Sequence, residues 1–122
     1  MKKIVIDLDE TITEKSDLPY PEKIPNEQVV AKLIQYKKAG FEIAIHTARN
    51  MRTHGGNVGL ICAKTLPVIH AWLLKNNIPF DEIFIGKPWC GEGGFYVDDK
   101  AIRPSEFTDL EYHEIQSMIN RS

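Results

Sequence analysis

Cysteine is scarce, with only Cys62 and Cys90 in 122 residues. Two isolated thiols exclude a disulfide framework as the source of stability and fit a reducing compartment, so a cytoplasmic protein is expected. Charge of either sign is nearly balanced, at a formal net of -2, which leaves no basic surface to attract nucleic acid. Long apolar runs are also missing. The chain opens Met1-Lys2-Lys3-Ile4-Val5-Ile6, but the run stops at Asp7, too short for a signal-peptide core. No stretch approaches the ~20 apolar residues of a membrane span. The four histidines, His46, His54, His70 and His113, show no zinc-ligand spacing. Without repeats, low-complexity tracts or linkers, the length argues for one domain spanning residues 1–122.

Hydrophobic residues are 43% and charged residues 26% of the chain, enough to build a packed core. Ile4-Val5-Ile6-Asp7-Leu8 is a β-branched run without polar alternation, the pattern of a strand covered on both faces. Residues 13–25 contain Pro19, Pro21 and Pro25 and read as a loop or flap. Asn26 can cap a helix reaching about Ala39, with Gly40 as its stop. Residues 41–46 read as a second strand and residues 47–59 as a Gly-rich loop. A helix then runs through Asn76, with Pro67 near its start or at a kink. Residues 82–86 and 95–97 give two more strands. Thr108 and Glu111 predict a capping box for a final helix. Strands alternating with helices imply a three-layer α/β/α sandwich on a mainly parallel sheet.

Ligands in such folds bind beyond the carboxyl ends of the strands. Those ends carry Asp7-Leu8-Asp9-Glu10-Thr11, His46-Thr47-Ala48-Arg49, Gly86-Lys87-Pro88 and Asp98-Asp99-Lys100. Each alone is a common cap or turn composition. Together they aim carboxylates, a hydroxyl and cations at one rim. Crowded carboxylates repel unless a cation intervenes, and Mg²⁺ is the usual one beside phosphate. Thr47 and Lys87 supply a hydroxyl and an ammonium suited to a phosphate dianion.

In order and type, the four segments resemble the four motifs of the haloacid dehalogenase superfamily of phosphohydrolases. The resemblance implies Asp7 as nucleophile, Asp9 as general acid and base, Thr47 and Lys87 as phosphate ligands, and Asp98-Asp99 as the magnesium-holding pair. Mg²⁺ would be held by Asp7, Asp98 and the Asp9 main-chain carbonyl, with Asp99 a direct or indirect ligand. An Asp at position 9 is similar to the phosphatases and phosphomutases of the superfamily, rather than its dehalogenases. Glu10 stands where many members have Gly and would narrow the entrance. Glu10 and Arg49 are candidate substrate contacts, although Arg49 could equally pair with a carboxylate. His46 is expected to pack inward, His54 to be solvated and Trp72 to be core, with Trp89 near the rim.

The expected activity is a Mg²⁺-dependent phosphomonoester hydrolase acting on a small phosphorylated metabolite. Small capless members acting on sugar phosphates, including those of capsule synthesis, are the most similar subgroup. A phosphomutase is one alternative. Another is a receiver-type phosphoacceptor, whose acidic pair precedes the other motifs, whereas here Asp98-Asp99 comes last. An open rim also leads to the expectation of a homo-oligomer, such as a tetramer, with the flap near its interface.

Overall fold

Each apolar run of the sequence becomes a strand of one sheet in the computed structural model, which describes residues 2–86 and 90–121. The strands are β1 (Lys3–Asp7), β2 (Glu42–Thr47), β3 (Glu82–Ile85) and β4 (Phe95–Val97). They lie in the order β3-β2-β1-β4 and every pairing is parallel. The fold is therefore α/β, compatible with a three-layer core. Parallel neighbours need crossovers, and those from β1 to β2 and from β2 to β3 are helical. They include α1 (Glu27–Lys38), α2 (Val58–Leu60) and α3 (Leu66–Lys75); α4 (Pro104–Asp109) and α5 (Tyr112–Asn120) follow β4.

The main core lies on one sheet face. Ile4, Ile6, Ile43 and Ile45 pack there with Val30 and Leu33 of α1 and with Ile69, Trp72 and Leu73 of α3. The other face is thinner: Val5 and Ala44 meet Cys90 and Phe84. Helices α4 and α5 bury no residue completely.

Helix α1 starts where Asn26 accepts a hydrogen bond from Val29 N and ends at Ala39, with Gly40 at φ +95°, a conformation that suits glycine. The second crossover begins earlier than the sequence suggests. Asn57 accepts from Leu60 N and opens α2, and a wide turn at Ile61–Thr65 leads directly into α3. The wide turn explains how Pro67 is tolerated inside a helical run, because local widening accommodates its missing N–H and its ring. Lys64, His70 and Lys75 keep this stretch amphipathic, and its apolar side enters the core.

The expected capping box is displaced. Thr108 lies within α4 and donates to Ser105 O, whereas Glu111 N donates to Glu114 Oε1 at the start of α5. A break between α4 and α5, absent from the sequence reading, shifts the cap by three positions. Among the described residues, neither the Thr13–Asn26 interval nor the β2–β3 interval adds a strand to the sheet.

Candidate active site

The sheet places Asp7 at the end of its central region. Asp7 is the register partner of His46 on β2, while Ile6 pairs with Val97 on β4. Asp98 therefore leaves β4 beside the point where Asp7 leaves β1. Beyond Asp7 the chain turns sharply, anchored by the buried Leu8 and Ile12. Asp9 and Glu10 occupy the apex of this turn, and Glu10 has φ +61°. A left-handed backbone is easiest for glycine, which gives a physical reason for Gly at this position in the resembling motif. Here the turn is kept by Glu10 N donating to Thr13 Oγ1 at 2.9 Å.

Asp7 sits among acids. Half-burial, a hydrogen bond with Asp99 and the charges of Asp98 and Asp99 push its carboxyl up to about 7, and a hydrogen bond from Thr11 opposes them. Thr11 Oγ1 donates to Asp7 Oδ2 at 3.2 Å. Asp98 is oriented by its own turn, its Oδ1 accepting from Lys100 N at 2.8 Å. Donor atoms of Asp7, His46 and Asp98 lie within 4.8 Å of one another, within reach of a single cation. Carboxylates held together at this energetic cost fit a divalent ion with oxygen ligands. Buried His46 is the member that sequence reasoning assigned to packing alone. Its nearness to Asp7 comes from the register of β1 with β2, in which paired residues share a face.

Asp9 is held from the other side. Arg49 Nη2 donates to Asp9 Oδ1 at 2.7 Å and Arg49 Nε to Oδ2 at 3.2 Å. Of the two readings of Arg49, the pairing with a carboxylate is the one the structure displays, and the carboxylate is Asp9. The Arg49 guanidinium also lies under the ring of Tyr20, 3.9 Å from its centroid. Tyr20 belongs to the flap, and no sequence signal pointed to it.

A cleft of about 560 Å³ joins these groups, lined among others by Asp7, Asp9, Glu10, Arg49, Asp98 and Asp99, with Lys23, Arg52 and Lys100 as further cations. Thr47 is not on its wall. It is buried, accepts from Arg49 N at 2.9 Å, and borders a smaller neighbouring cleft with His46 and Met51. Lys87 and Trp89 lie outside the described residues.

No family model matches the chain, and no curated protein does. Among solved structures, one chain of a Pnkp1/Rnl/Hen1 complex is 17% identical with a TM-score of 0.51 over 89% of this chain and 34% of its own, a likeness of fold alone. A Vibrio cholerae protein, described by a target designation without an activity, is 50% identical, covers 99% of this chain and 98% of its own, and has a TM-score of 0.67. With half of all residues shared along essentially the whole of both chains, the protein belongs to the same family as this Vibrio cholerae protein.

Proposed function

We propose that the protein is a Mg²⁺-dependent phosphomonoester hydrolase of the haloacid dehalogenase type, acting on a small phosphorylated metabolite. The observation that carries this reading is the convergence of Asp7, Asp9, Asp98 and Asp99 on one cleft at the carboxyl ends of adjacent parallel strands. An Asp7 carboxylate oxygen attacks phosphorus, and the bond from phosphorus to the leaving oxygen breaks as Asp9 protonates that oxygen. Water then attacks the phosphorus of the aspartyl-phosphate and gives a proton to Asp9, releasing phosphate and restoring Asp7. The cation, held by Asp7 and Asp98 with Asp99 nearby, would supply charge neutralisation for the transferred group.

Lys23, Arg52 and Lys100 around the cleft favour an anionic substrate of small size, and a sugar phosphate of surface-polysaccharide synthesis is the narrower form of the proposal. A receiver-type phosphoacceptor accounts less well for Asp9, since phosphoacceptance alone has no need of a second acid. Phosphate release from a panel of phosphorylated metabolites, with and without chelator, tests the proposal. Mg²⁺-dependent turnover of at least one monoester is expected. Undiminished activity after exhaustive chelation would remove the metal from the account.

A further inference from the structure

Arg49 is nearly inaccessible, at 5% exposure, although it lines an open cleft. Burying a guanidinium is costly unless its charge and hydrogen bonds are met. Here both Asp9 oxygens take Arg49 donors in a fork, which fixes the plane of the carboxylate as well as its position. The third arm, Nη1, is buried with no hydrogen-bond partner among the described residues. The Tyr20 ring lies over the guanidinium, 3.9 Å from Cζ to the ring centroid. The main-chain N–H of Arg49 is fixed too, through Thr47 Oγ1.

Tyr20 is itself held in place by an anchored flap. Residues Thr13 and Pro25 form an antiparallel bridge, and Glu14 N donates to Ile24 O at 2.8 Å. Trp72 Nε1 reaches from α3 to Lys23 O at 2.8 Å. An unbroken path of contacts thus runs from the core helix through the flap and Tyr20 to Arg49 and Asp9.

We infer that Arg49 is a positioning residue for Asp9, and that Tyr20 is the flap residue that keeps Arg49 in its fork. The inference rests on the reading of Asp9 as general acid and base. It assigns Arg49 to the orientation of a catalytic carboxylate, and it gives the flap a role in chemistry beyond covering the site. An exposed salt bridge would do little of this, because two mobile side chains in water hold no fixed geometry. Stacking and burial are what make the fork rigid.

The test uses aryl phosphates with graded leaving groups. Poor leaving groups need a well-placed acid for bond breaking, and good ones do not. Tyr20→Leu should lower kcat/KM for poor leaving groups by about fivefold, the worth of one cation–π contact, and should leave good ones near wild type. Tyr20→Phe keeps a ring over the guanidinium and should behave as wild type. Arg49→Lys keeps the charge but cannot fork, so it should steepen the leaving-group dependence at least about tenfold. The Arg49 Nε–H resonance should be protected from exchange in the wild type and in Tyr20→Phe, and lose protection in Tyr20→Leu. Equal losses for good and poor leaving groups, or none in Arg49→Lys, would overturn the positioning role. A steepened response in Arg49→Lys with an unaltered Tyr20→Leu would overturn the share assigned to Tyr20. A wild-type protein inactive on every ester would overturn the hydrolase reading and the inference with it.

Discussion

At the scale of single residues, the site separates two carboxylates that stand two positions apart. Asp7 is crowded by acids and desolvated, whereas Asp9 is gripped by Arg49. Without a cation the crowding opposes the ionised form that a nucleophile at Asp7 needs, and a cation held between Asp7 and Asp98 would restore that form. The crowding has a consequence for stability. The folded protein holds a proton on Asp7 up to about pH 7, while the unfolded chain releases it near pH 4. Folding therefore becomes less favourable through this group as pH rises from about 4 to about 7. Asp7→Asn should be more stable than wild type at pH 7.5 without metal, by a few degrees in Tm, and the advantage should vanish at pH 4. Millimolar Mg²⁺ should raise the wild-type Tm at pH 7.5 and leave that of Asp7→Asn nearly unchanged. A lower Tm for Asp7→Asn in the absence of metal would contradict the crowding.

At the scale of elements, the placing of Asp98 depends on how closely β4 can approach β1. Gly94 directly precedes β4, and any Cβ there would fall inside contact distance of the Lys3 and Cys90 carbonyl oxygens. Those contacts are backbone, so no side chain can yield. Gly94→Ala should destabilise the protein by roughly 2–4 kcal/mol, measurable by urea unfolding. A change below about 0.5 kcal/mol would show that β4 is free to shift. The opposite edge is secured differently. Asp81 Oδ2 accepts from Ile43 N while the carboxylate pairs with Lys37 of α1 at 2.7 Å. The Lys37 contact holds the Asp81 carboxyl below the ordinary range.

The four strands and α1 were legible in the sequence because apolar runs and caps act locally. Strand ends deviate from the reading by a residue or so, since fraying and pairing decide them. The Thr108 box and the start of α2 were misplaced because several Ser, Thr, Asn and Glu residues compete for each cap. Pairing relationships were harder to read. That Arg49 meets Asp9, with Tyr20 above it, depends on contacts between segments remote in sequence. The nearness of His46 to Asp7 required the register of β1 and β2.

At the scale of the whole molecule, the open rim called for a cover, and the anchored flap provides part of it through Tyr20. A second subunit would provide the rest. Light scattering at micromolar concentration decides this point. A mass above the 13.9 kDa of one chain supports the homo-oligomer, and a clean monomer mass with full activity leaves the flap as sole cover. The central claim is that phosphorus passes through Asp7. It is tested most directly by acid-quenching Asp9→Asn during turnover of an aryl phosphate and mapping the modified peptide by mass spectrometry. The account predicts one phosphoryl group on Asp7, removed by hydroxylamine and absent from Asp7→Asn. A phosphoryl group on any other residue, or undiminished turnover in Asp7→Asn, would contradict it.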